Sequence, residues 1–97
     1  MTLPLLFVRR LIWDSWNIAQ IARHDVIPDE VEEVCHGQPI TSQTYKGRLR
    51  VVGPTRSYRM LTVILAPTEA PGVYYPVTAR PADRKERRSY EQQRGVQ

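Results

Sequence analysis

The chain has 97 residues, 41% hydrophobic and 25% charged, enough for one small globular domain with a single core and too little for two. Cys35 is the lone cysteine, so no intramolecular disulfide forms, and no apolar window approaches the roughly 20 residues needed to span a bilayer. The net charge of +4 is uneven: residues 1–45 carry three Arg against six carboxylates, and residues 46–97 carry eleven Lys/Arg against four.

The first apolar run, Leu5 to Trp13, reads as a strand, with Pro4 just outside it. Arg9 and Arg10 interrupt it in a way a signal peptide would not, so a cytoplasmic protein with no membrane contact is expected. Asp14 can cap a helix running to about Arg23, in which Ile18, Ile21 and Ala22 share a face; Trp13 and Trp16 are core candidates. Pro28 suits the first turn of a second helix, with Asp29 and Glu30 at its positive end. Ile27, Val31, Val34 and Cys35 form its apolar stripe, and Gly37 is placed to end it in a left-handed turn.

From Pro39 short β-prone runs follow: Ile40 to Tyr45, a Lys46-Gly47 turn, and a strand in which Leu49 and Val51 alternate with Arg48 and Arg50. Gly53 to Ser57 is a loop. Arg59 to Ala66 is almost continuously apolar, as expected of a central strand covered on both faces. Val73 to Thr78 is a strand that should stop at Ala79-Arg80-Pro81. A charged helix begins near Ala82 and is anchored by Tyr90. A single domain over 1–92 is expected, with 93–97 as a frayed tail. The fold class is α+β, with an N-terminal strand, two helices, an antiparallel sheet of about four to five strands and a C-terminal helix, the helices packed mainly on one face of the sheet.

His24 and His36 stand too far apart to suggest a metal motif, and no Gly-rich loop follows a strand, so no metal and no cofactor are expected. The chemistry that remains is arginine. The charge asymmetry suggests that the basic half meets an anionic partner such as nucleic acid. Arg48 and Arg50 share one side of their strand by period-two spacing, either as a phosphate-binding face or as a solvated one. Arg59 opens the next strand, and Arg80 closes the last, where it can bind phosphate or pair with Glu86. Lys46, Arg48, Arg50 and the helical Arg84, Lys85 and Arg87 are candidates for backbone contacts. Asp83, Glu86 and Arg87 can also pair within their helix. By itself His24 reads as a structural histidine, and Cys35 as core.

Four runs in order, IWDSWN, IARHDV followed by EVEEV, GRLRVVGPT, and VTARPADRKERRSY, resemble the BrnT-type toxins of bacterial type II toxin–antitoxin systems. The resemblance spans about Trp13 to Tyr90. It implies a RelE-like fold, metal-independent RNA cleavage, and neutralisation by a small antitoxin, of the ribbon-helix-helix kind, that covers the basic face. His24, Arg48, Arg59, Arg80, Glu86 and Tyr90 match the family's site positions: arginines for the scissile phosphate, and His24, Glu86 or Tyr90 for proton movement. Three positions depart from the pattern. Lys46 stands where the family has an acid, Asp25 where it has glycine, and Ile27 where it has a polar cap. Lys46 and Asp25 motivate the alternative, a degenerate module of the same fold that binds RNA or a protein without cutting.

Overall fold

A computed structural model describes residues 6–95. In chain order it contains β1 (Arg10–Leu11), α1 (Ser15–Ala22), α2 (Pro28–Cys35), β2 (Ile40–Gln43), β3 (Leu49–Pro54), β4 (Met60–Pro67), β5 (Val73–Pro81) and α3 (Arg84–Tyr90). The five strands form one sheet in the order β1-β5-β4-β3-β2. Strands β2 to β5 are an antiparallel meander, and β1 lies parallel to β5 at the far edge. The chain therefore starts at one edge, crosses a face of the sheet through α1 and α2, and re-enters at the opposite edge. The α+β expectation holds, with a mixed sheet.

Alternation on the central strands divides the side chains between two faces. Leu61, Val63 and Leu65 of β4, Val51 of β3 and Ala79 of β5 are buried and meet Ile21, Val26, Val31, Val34 and Cys35 from the α1–α2 side. Each buried Leu or Ile contributes roughly 1.5–3 kcal/mol by leaving water. The opposite face carries Arg50, Val52, Thr62 and Arg80, and α3 covers part of it: Thr62 hydroxyl donates to Glu86 at 2.8 Å. Coverage from both sides explains why β4 reads as continuously apolar. Among the described residues no helix is long and apolar enough to cross a membrane.

Several local expectations are corrected. The first strand is only Arg10–Leu11, because its pairing partner is two residues of β5 and Asp14 starts a helix at once; Pro4 and Leu5 lie outside the described residues. On α1 the buried positions are Asn17 and Ile21, while Ile18 is 41% and Trp16 57% exposed. Asn17 displaces the apolar face because its amide donates to the carbonyls of Ile12 and Pro76, at 2.9 and 3.0 Å, tying α1 to β5. Its Oδ1 also accepts from the Asp14 amide, closing a reciprocal cap with the Asp14 carboxylate. Trp13 is half-buried, with Nε1 donating to Glu32 at 2.9 Å.

On α2, Val31, Val34 and Cys35 are buried, but Ile27 is 56% exposed. Burial pushes the Cys35 thiol up to about 12, so it is inert core. Gly37 is not the left-handed stop: α2 ends at Cys35 with His36 as its cap, and the left-handed residues are Asp25 (φ 63°), Lys46 (φ 64°) and Gly47 (φ 71°), among others. The β2–β3 turn thus falls where Lys46-Gly47 was expected. Strand β3 extends through Gly53 and Pro54, which were assigned to a loop. Strand β5 runs through Pro81, because proline's missing amide falls opposite Leu61 and the next donor, Ala82 N–H, bonds Met60 at 2.9 Å. Helix α3 starts at Arg84 with Asp83 as its cap, not at Ala82. Beyond α3 a short π-helical segment spans Glu91–Gly95, with Arg94 Nε donating to the Gln38 carbonyl at 3.2 Å.

Candidate nucleic-acid interface

Asp83 and Glu86 cap each other at the start of α3: the Glu86 amide donates to Asp83 at 2.8 Å, and the Asp83 amide donates to Glu86 at 2.9 Å. This fixes the Glu86 side chain beneath the helix and over the sheet. There it accepts from Arg80 on both oxygens, with Nη1 at 2.9 Å and Nη2 at 2.8 Å, and from buried Thr62. Burial pushes the Glu86 carboxyl up, but the bonds from Arg80, the Asp83 amide and Thr62 outweigh it and bring it down to about 2. The Glu86 hydrogen bond in turn raises the Arg80 guanidinium above its ordinary value. The pair is a fixed fork: Glu86 side chain is 12% exposed, whereas Arg80 is 40% exposed and open to a ligand.

Arg50 lies on the same face. It is opposite Ile64 on β4, which is opposite Thr78 on β5, two residues before Arg80. Strand spacing puts the Cα atoms of Arg50 and Arg80 about 12 Å apart, and those of Arg48 and Arg80 about 16 Å apart. Between Arg50 and Glu86 opens a cleft of about 170 Å³ lined also by Ile40, Ser42, Val52, Ser89 and Gln93. Arg84, Arg87 and Arg88 border a second recess on α3, with Glu91, and Lys85 is exposed on the same helix. Lys46 is exposed in the turn at the β2–β3 end. Among the described residues the arginine–carboxylate ion pairs are Arg80–Glu86 and Arg59–Glu30 alone, so Arg48, Arg50, Arg84 and Arg87 pair with no carboxylate.

The other matched positions lie elsewhere. Arg59 donates to both Glu30 oxygens at 3.0 and 3.1 Å and to the carbonyls of Asp25 and His24 at 2.7 and 3.4 Å. It therefore sits against α2, on the face away from Arg50 and Arg80, and clamps the α1–α2 loop. His24 is exposed in that loop. Tyr90 hydroxyl donates to Gln38 at 3.1 Å, the anchoring role expected of it. A larger recess of about 670 Å³ lies between α2 and the β3–β4 loop, lined by Asp29, Glu32, Glu33, His36, Arg56 and Tyr90 among others. Its acidic wall opposes a phosphate backbone, so the α3 face is the better anion site.

Thr62, the capping role of Asp83 and the cleft residues Ser42, Ser89 and Gln93 escape a reading of the sequence. Asp83 had a local signal, the D-x-x-E capping pattern. Thr62 had none, since its partner lies 24 residues away. No protein-family model and no curated protein sequence matches the chain.

Proposed function

We propose that the chain is a toxin-like endoribonuclease of the BrnT kind, holding single-stranded RNA across the α3 face, with a small ribbon-helix-helix antitoxin as the partner that covers it. One observation carries this reading: Arg80 is held by Glu86 on two nitrogens, still partly open to solvent, on a sheet face whose other arginines lack carboxylate partners.

In the proposed reaction Arg80 donates to the non-bridging oxygens of the scissile phosphate. The neighbouring 2′-hydroxyl attacks phosphorus, the P–O2′ bond forms, and the P–O5′ bond breaks. The products are a 2′,3′-cyclic phosphate and a 5′-hydroxyl, whose oxygen takes a proton from solvent. Glu86 accepts the 2′-hydroxyl proton. When Arg80 turns toward phosphate, the hydrogen bonds that depress the Glu86 carboxyl weaken and its basicity rises. Positioning and charge stabilisation supply the remaining rate.

A second reading, binding without cutting, is favoured by a different observation. A carboxylate held near 2 is a weak base, and His24 lies with Arg59 on the other side of the sheet. Incubating the protein with RNA in EDTA separates the two. Cleavage by wild type, lowered about 100-fold or more in Arg80→Ala, is expected. Binding with no cleavage leaves the second reading, and neither binding nor cleavage removes both.

A further inference from the structure

The cleft between the β2–β3 ribbon and α3 is too small for a whole nucleotide: at about 170 Å³ it is well below the roughly 300 Å³ where pockets for drug-sized ligands begin. It does suit one planar base. Val52 is buried and Ile40 half-buried, giving an apolar floor; Ser42, Arg50, Ser89 and Gln93 stand around it as polar groups. Glu86 borders the cleft, but its oxygens already accept from Arg80, Thr62 and the Asp83 amide, so it adds a wall more than an acceptor. An anion there would be repelled by that carboxylate, whereas a neutral base would not be.

Resting on the RNA reading of the same face, we infer that this cleft takes a guanine base and makes the protein selective for that nucleotide. Guanine offers the arginine fork two adjacent acceptors, O6 and N7, where adenine offers one acceptor beside a donor. Its N1–H and N2–H groups suit the Gln93 carbonyl and the serine hydroxyls, which accept as well as donate. Cytosine also has an acceptor pair, N3 and O2, but only one amino donor to meet those acceptors. The neighbouring phosphate then falls to Arg80, about 12 Å from Arg50 by strand spacing.

The test uses 2′-O-methyl oligouridylates, which bind but cannot be cleaved by 2′-hydroxyl attack, carrying a single central guanine, adenine, cytosine or uracil. Fluorescence anisotropy gives their affinities for the wild type and for Arg50→Ala, Ser89→Leu and Arg80→Ala. The wild type should bind the guanine oligonucleotide about 5- to 150-fold tighter than the others. Arg50→Ala and Ser89→Leu, which fills the cleft without changing charge, should bring that ratio to about 1. Arg80→Ala should weaken all four oligonucleotides and keep the ratio. Binding without guanine preference, or a preference that survives both cleft variants, overturns the cleft assignment while leaving the RNA reading in place. Failure to bind any of the four removes the RNA reading and this inference with it.

Discussion

Two arginine–glutamate pairs with similar distances stand on opposite faces of the same sheet, and they do different things. Arg59 and Glu30 are 3.0 Å apart, Arg80 and Glu86 2.8 Å. The donors left over on a guanidinium matter less than what its partners belong to. Arg59 binds Glu30 on α2 and two carbonyls of the α1–α2 loop, so its task is to hold that loop. Arg80 binds a carboxylate that is itself fixed by a helix cap and by Thr62, beside an open cleft and Arg50. An arginine–carboxylate pair can thus clasp two elements together or leave its guanidinium open to a ligand according to its surroundings, and residue type alone does not separate the two.

The sharpest way to break this comparison is to truncate both arginines. Arg80→Ala should lower RNA cleavage about 100-fold or more, the range for removal of a preorganised donor to a transition-state oxygen. Arg59→Ala should change cleavage less than about threefold but lower stability by about 1–2 kcal/mol, because a partly exposed pair and two carbonyl contacts are lost. Cleavage assays and urea melts on both proteins give the four numbers. Equal losses of cleavage would place both arginines at one site.

The carboxylate side gives the next largest effect. Glu86→Ala leaves buried Thr62 without its acceptor and Arg80 without its partner, and should destabilise by about 2–3 kcal/mol. The same carboxylate gives stability a pH dependence. Its folded pKa, about 2, lies below the ordinary value, so its contribution is fully present above about pH 4.5 and is lost as pH falls toward 2. With Arg80 40% exposed, solvent screening reduces that contribution to about 1–2 kcal/mol. Urea melts at pH 6 and pH 3 should differ by less in Glu86→Gln than in wild type; an equal drop in both would assign the acid sensitivity to other carboxylates.

How much of this was legible follows from how far apart the partners are in sequence. Arg80 and Glu86 are separated by one turn and one cap, and their pairing could be anticipated from the chain. So could the face of Arg50, which needs only the period of a strand to stand on the side opposite buried Val51. Arg59 pairs with Glu30 from 29 positions away, across a contact that only the packing of α2 on the sheet creates. Read as a strand-opening basic residue, it looked like a neighbour of Arg48 and Arg80. Strand alternation sends it to the other face. Asn17 shows a second limit: an apolar periodicity pointed to Ile18 and Ala22, but two carbonyls left by β5 and the chain before α1 drew a polar side chain inward. Hydrogen-bond demand outweighed the hydrophobic pattern there.

The smallest expected effect concerns the Arg59 clasp itself. Asp25 adopts a left-handed backbone, φ 63°, and its carbonyl accepts the 2.7 Å bond from Arg59. Aspartate tolerates this region better than most residues, yet still at a cost of roughly 1 kcal/mol relative to glycine. Glycine removes that strain but frees the unfolded chain, which offsets about half or more of the gain. Asp25→Gly should therefore raise stability by only about 0.5 kcal/mol, with cleavage unchanged because the loop lies across the sheet from Arg80. A urea melt resolves the shift when run beside Arg59→Ala and the double variant. If the carbonyl bond holds the loop in its left-handed form, the gain from glycine should shrink once Arg59 is gone; an identical gain in both backgrounds would show the loop to be set by its own backbone and not by the clasp.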